Sequence, residues 1–122
     1  VSYRVDLSSP VPPSRQLVEA VLDAVSTGAL APGVRLLSVR ALAAEALVNP
    51  NTAARAYRDL EALGVVEGRN GLGVFVTDRG PAVARGLRAK ATLECFARAA
   101  AEALRAGHTL DALLEQIEGV KR

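Results

Sequence analysis

The chain has 122 residues, half of them hydrophobic but only 3% aromatic, and carries a formal charge of +2. Its apolar content is mostly Ala, Leu and Val, which suits helices packed through small side chains, in one small domain with an appended oligomerisation piece rather than a large substrate domain. A core so poor in bulk favours association with a second copy, the single Cys95 rules out an intramolecular disulfide, and the lack of a ~20-residue apolar run or a signal-peptide pattern predicts a cytoplasmic protein with no membrane span.

Residues 1 to 13 read as an extended arm lying across the domain, because Tyr3, Val5 and Leu7 alternate with polar residues and prolines at 10, 12 and 13 forbid a helix. Ser14 is the expected N-cap of a first helix whose Leu17, Val18, Val21, Leu22 and Val25 repeat at helical spacing until Gly28. After the Pro-Gly turn in "LAPG", Ser38 caps a short second helix with Val39, Leu42, Ala43 and Ala46 on one face. The third helix starts sharply. Asn49 can accept from free backbone amides, and Pro50 supplies the fixed φ favoured at the first helical position.

Within that third helix Ala53, Ala56, Tyr57, Leu60 and Leu63 follow the 3.6-residue period and are expected to face inward, with Gly64 closing the helix. The opposite face carries Asn51, Thr52, Arg55 and Arg58. Two β-rich runs, Val65 to Glu67 and Val74 to Thr77, flank a glycine-rich turn and predict a hairpin. From Pro81 to Ala106 a helix of ~39 Å is expected at 1.5 Å per residue, with Leu93, Phe96, Ala97, Ala100 and Leu104 as its apolar stripe. Gly107 stops it, and Thr109 caps a last helix with Leu110, Leu113, Leu114 and Ile117 on one face. Two stripes with nothing else to cover them predict a helical hairpin that pairs with another copy.

A helix-turn-helix sends its second helix into the major groove with N-terminal residues touching base edges. "NPNTAARAYRDL" has the parts for this: Asn51 and Thr52 are short hydrogen-bonding side chains at the tip, Arg55 one turn on suits a bidentate contact with guanine, and Arg58 further along suits phosphate. The bland reading of the same run is a capped surface helix with solvated arginines. A preceding capped helix and a following glycine-rich hairpin turn the balance toward a winged helix-turn-helix.

The blocks "G.L.PG.RL.SVR.LA" (28 to 43), "VNPNT..RAYRDLE..G" (48 to 64) and "G.G.FV" (71 to 76), in that order, resemble the DNA-binding domain of the GntR family of bacterial transcription regulators over roughly residues 12 to 78. The resemblance implies that Ser38 and Arg40 of "SVR" meet DNA from the start of the second helix, that Asn49, Asn51, Thr52 and Arg55 form the tip and face of the recognition helix, and that Gly71 and Gly73 belong to a wing approaching the minor groove. Arg69 is the basic residue of that wing; Arg40 could instead pair with an acid such as Glu45 on the surface.

Three departures matter. Leu37 stands where the family commonly has Pro, which predicts a looser turn into the second helix with the Ser38 cap intact; Ala54 and Leu72 stand where relatives often carry polar or basic side chains. Fewer phosphate contacts and a weaker salt dependence follow.

About 43 residues remain after Arg79, enough for two helices and too few for an enclosed ligand pocket. This resembles the small YtrA-type subgroup, which implies C-terminal helices used for dimerisation. The predicted fold is therefore mostly α with a small β-hairpin, divided into a winged helix-turn-helix over 1 to 79 and a helical dimerisation region over 80 to 122. The expected function is a homodimeric repressor on a palindromic double-stranded DNA operator. A small-molecule effector, if one acts, would bind at the junction of the two regions or at the dimer interface.

No enzyme is expected. His108 falls at a helix junction, Cys95 lies beside Phe96 in a packing stripe, and neither a zinc cluster nor a phosphate loop is present, so no cofactor or metal is predicted. The rival reading is a winged-helix interaction module whose arginines meet an acidic protein, kept open by the eight Arg balanced against eight acids over residues 1 to 79.

Overall fold

Proline decides where the first helix starts. In the computed structural model, which describes residues 1–121, α1 spans Pro13–Thr27, with Pro12 at the N-cap position and no side-chain cap. The expected Ser14 cap is thereby corrected: the fixed φ of Pro13 is already helical and its missing N–H is not needed in a first turn, so Ser14 lies inside the helix. The inward face is as expected, with Leu17, Val18, Val21, Leu22 and Val25 buried.

Helix α2 spans Val39–Ala46 and is capped by Ser38, whose Oγ accepts from the Ala41 N–H at 3.1 Å. Helix α3 spans Pro50–Ala62, and the Asn49 side chain accepts from the Asn51 N–H at 2.8 Å. Between them Leu47 holds a left-handed conformation (φ 56°, ψ 47°) and is 89% exposed. That is an uncommon place for a branched apolar residue.

Helix α3 packs on α1 and α2 through Ala53, Ala56, Tyr57 and Leu60, all buried. Leu63, expected in that stripe, is instead 37% exposed. The helix proper ends at Ala62, and Gly64 (φ 84°) reverses the chain while the Val65 N–H donates back to the Leu60 carbonyl at 3.1 Å, so Val65 takes the buried place.

The hairpin forms from β1 (Val66–Arg69) and β2 (Gly73–Val76), paired antiparallel with Val66 opposite Val76 and Arg69 opposite Gly73. A third line of chain lies on its other side. Arg35 bridges to Phe75, the Leu36 N–H donates to the Val74 carbonyl at 2.8 Å, and the Val76 N–H donates to the Val34 carbonyl at 3.0 Å. The base of the wing is thus sewn to the segment leading into α2.

The N-terminal arm has no regular secondary structure. Tyr3 is buried in the core, Val5 is half-buried and Leu7 is 85% exposed, so the expected alternation anchors at one residue. Gln16 fixes the rest: it accepts from the Asp6 N–H at 2.8 Å and donates to the Asp6 carbonyl at 2.9 Å.

Helix α4 spans Gly80–Arg105 and α5 spans Leu110–Lys121, the latter capped by Thr109, whose Oγ1 accepts from the Ala112 N–H at 3.1 Å. The chain forms two compact units, Val1–Arg88 and Ala89–Arg122. The first turns of α4 belong to unit 1, where Gly80 and Ala84 are buried and Arg88 pairs with Asp23 of α1. In unit 2 no residue of α5 is buried, and Leu93, Phe96, Leu104, Leu110, Leu114 and Ile117 are exposed large apolar side chains. No helix among the described residues is long and apolar enough to cross a membrane.

Candidate nucleic-acid interface

An Asn-Pro start produces a helix that begins abruptly. Because Asn49 caps the Asn51 amide, and the Thr52 N–H donates to the Asn49 carbonyl at 2.9 Å, the first turn of α3 is satisfied without borrowing the side chains that follow. Asn51, Arg55 and Arg58 are exposed and Thr52 is half-buried. Their spacing of four, then three residues puts Asn51, Arg55 and Arg58 on neighbouring positions of one face. The opposite face is locked by Ala53, Ala56 and Leu60 in the core.

Orientation of α3 against the entry to α2 is held by one contact that the sequence reading missed. The Tyr57 hydroxyl donates to the Leu37 carbonyl at 2.6 Å. The carbonyl before Ser38 is thereby tied to α3, and the Ser38 cap is intact as expected. Burial, and after it the neighbouring Tyr3, push the Tyr57 phenol well above its ordinary pKa and keep it a donor.

Ser38 and Arg40 sit at the exposed start of α2. Arg40 has no ion pair among the described residues, so the alternative pairing with Glu45 does not form. Arg55 and Arg58 are likewise without an acid. Of the acids near them in sequence, Glu61 is used elsewhere, its Oε2 accepting from the Gly68 N–H at 3.1 Å, and the Tyr3 phenol is raised first by burial and then by the charge of Glu45. Three uncompensated guanidiniums on a rigid frame make a surface for anions and for base edges.

The wing differs. Arg69 donates from Nη2 to Glu67 Oε1 at 2.9 Å and lies 4.4 Å from the centre of the Phe75 ring. Its charge is shared with an acid. Gly71 is exposed at the turn, which the Leu72 N–H closes on the Arg69 carbonyl at 2.9 Å. Gly73 (φ 118°) is half-buried beneath the guanidinium of Arg35, a residue that lay within the quoted motif but was not singled out.

All ten residues expected at DNA are thus carried by one compact unit, on α2, α3 and the wing. The model of "Bacterial regulatory proteins, gntR family" matches residues 13–76. This chain belongs to the GntR family. Over 74 residues it is 47% identical to the HTH-type transcriptional regulator Rv1152 of Mycobacterium tuberculosis, a match covering 61% of each chain. It is 33% identical over 75 residues to the HTH-type transcriptional repressor YtrA of Bacillus subtilis, covering 62% of this chain and 58% of that one. The crystal structure of a transcriptional regulator from Oenococcus oeni superposes with a TM-score of 0.79 at 27% identity, covering 97% of this chain and 98% of that one.

The chain therefore carries a winged helix-turn-helix DNA-binding domain of the GntR family, and its matches span 61% and 58% of the length of Rv1152 and YtrA. The relatives Rv1152 and YtrA are transcriptional regulators. Among the described residues no cluster of His, Cys, Asp and Glu could hold a metal ion, and Cys95 is exposed.

Proposed function

We propose that this GntR regulator is a cytoplasmic, homodimeric repressor that occupies a palindromic operator, with residues 1 to 79 binding DNA and residues 80 to 122 joining the two copies. The observation that carries the DNA reading is the trio Arg40, Arg55 and Arg58, exposed and with no ion pair among the described residues, on helices whose other faces are buried. Asn51, Thr52 and Arg55 lead into the major groove and read base edges, Arg40 adds a base or phosphate contact from α2, and Ser38, Asn49 and Arg58 hold the backbone. Ser38 and Asn49 spend their oxygens on helix caps, which leaves the Ser hydroxyl hydrogen and the Asn amide NH₂ to donate to phosphate. Gly71 and Gly73 keep the wing slim beside the groove, and Arg69 contributes a cation there.

Support for the homodimer comes from unit 2. Phe96, Ala99, Ala100 and Ala103 of α4, with Leu113, Ile117 and Val120 of α5, line an apolar groove of about 630 Å³. Exposed large apolar side chains gathered along α4 and α5 are the kind of surface a partner covers. A second copy would cover it together with Leu93, Ala97, Leu104, Leu110 and Leu114. Repression is supported by the similarity to YtrA, a transcriptional repressor, and blocking polymerase needs only occupancy of the site.

Selection of bound duplexes from a random pool, followed by footprinting, tests the proposal. The expected product is a twofold-symmetric site with half-sites about one helical turn apart, ~10 bp. Arg55→Ala should relax preference at particular base pairs by about 1–3 kcal/mol. A pool that emerges unenriched, with acidic proteins retained instead, would transfer the arginine face to a protein partner.

A further inference from the structure

The cations of the wing are not equivalent. Arg69 and Arg35 both sit on its outer face, because in an antiparallel pairing opposed residues share a face: Arg69 is opposite Gly73, and Arg35 and Glu67 are both opposite Phe75. Arg69 is held twice over, by Glu67 Oε1 at 2.9 Å and by the Phe75 ring at 4.4 Å. Arg35 is exposed and has no ion pair among the described residues. A phosphate approaching Arg69 would meet the Glu67 carboxylate beside it, whereas one approaching Arg35 would meet an unshared charge.

Gly73 makes room for this. A Cβ there would stand 2.7 Å from Arg35 Nε and 3.4 Å from its guanidinium carbon, and the backbone φ of 118° is one that side chains rarely adopt. The guanidinium therefore lies across the wing strand in the space a side chain would fill. Its backbone is fixed as well, since the Leu36 N–H and the Val34 carbonyl on either side are bonded into β2 at 2.8 and 3.0 Å. A cation on a fixed backbone, seated on a glycine, loses less freedom on binding than one on a loop.

We infer that Arg35, seated over Gly73, is the principal phosphate-binding cation of the wing, and that Arg69 is the lesser one. The inference deepens the DNA-binding reading and rests on it. It also assigns Gly73 a second duty, as the seat of Arg35, besides its turn geometry.

A salt titration tests this with a labelled mixed-sequence duplex, because a backbone contact needs no operator. Wild type, Arg35→Gln, Arg35→Lys and Arg69→Gln are compared across about 50 to about 200 mM salt. Losing one phosphate contact lowers the slope of log affinity against log salt by about 0.9, so the wild-type advantage over Arg35→Gln should shrink roughly 3.5-fold across that range. Arg69→Gln should lower the slope by a smaller amount, and Arg35→Lys should restore it. The inference is overturned if Arg35→Gln keeps the wild-type slope, if Arg35→Lys behaves like Arg35→Gln, or if Arg69→Gln loses as much as Arg35→Gln. Should wild type itself show no salt-dependent binding, the DNA reading falls and takes this assignment with it, an outcome distinct from the others.

Discussion

Replacing Leu47 by glycine should make this protein more stable, although it deletes a large apolar side chain. Leu47 ends α2 in the left-handed region at φ 56°, ψ 47°, where Cβ crowding costs an L-residue about 1–2 kcal/mol. At 89% exposure its side chain contributes little burial to lose. Glycine removes the crowding but adds unfolded-state freedom worth roughly 0.5–1 kcal/mol, leaving a net gain of about 0.5–1 kcal/mol. For a unit of this size, Val1–Arg88, that corresponds to a rise in Tm of about 2–8 °C. Thermal unfolding at one fixed protein concentration measures it, since self-association would shift Tm by itself. Leu47→Ala is the control: it keeps the Cβ and the crowding, and should gain almost nothing. The reasoning is refuted if glycine destabilises, or if alanine gains as much, because either would place the effect in the side chain's contacts rather than in the backbone.

The same fold bears three further expectations. Gly80→Ala should destabilise despite alanine's higher helix propensity, by about 1–3 kcal/mol in urea unfolding, because the new Cβ would meet the Val65 carbonyl at 3.0 Å and Val76 Cγ1 at 3.2 Å; an unchanged midpoint would show that the start of α4 can shift freely. Tyr57→Phe should cost about 1–2 kcal/mol by leaving the Leu37 carbonyl without its donor. It should also flatten the alkaline loss of stability: burial raises the Tyr57 phenol in the folded state, so the native form binds the proton more tightly, its contribution is complete below the unfolded value of about 10 and is lost as pH climbs beyond it. Melting at about pH 9 and about pH 11 would show a steeper fall for wild type, and equal falls would exclude Tyr57 as the titrating group. Ile117→Asp, on the exposed apolar face of α5, should halve the sedimenting mass while leaving unit 1 folded by circular dichroism; a variant that stayed dimeric would move the interface off this face.

Most of the architecture was legible because it is written in short-range patterns. The 3.6-residue stripes of α1 and α3 and the caps at Ser38, Asn49 and Thr109 each depend on residues within a turn or two. What escaped was long-range or disguised. The third line of the wing joins Arg35 to Phe75, far apart in the chain, and "GVRL" is too short between its turn and the Ser38 cap to show a strand period. The left-handed turn at Leu47 carries none of the usual Gly or Asn signal. Leu63 fits the helical period but falls at the reversal set by Gly64, where Val65 displaces it from the core.

The candidate site shows the same division, and it bears on function. Residue type and spacing placed Asn51, Thr52, Arg55 and Arg58 on one helix face, where the structure leaves Asn51, Arg55 and Arg58 exposed and Thr52 half-buried. Whether an arginine there is available to a nucleic acid depends on where the acids go, and a sequence does not say. Here the near-neutral tally of eight Arg and eight acids over residues 1 to 79 conceals an uneven partition. Glu67 is spent on Arg69, Asp23 on Arg88, and Glu61 on a backbone amide, while Arg35, Arg40, Arg55 and Arg58 form no ion pair among the described residues. A protein can therefore present a strongly cationic face with almost no net charge, and its salt dependence is set by those unpaired guanidiniums rather than by the formal charge. For this chain that argument makes Arg35, not the more obvious Arg69, the wing residue to change first.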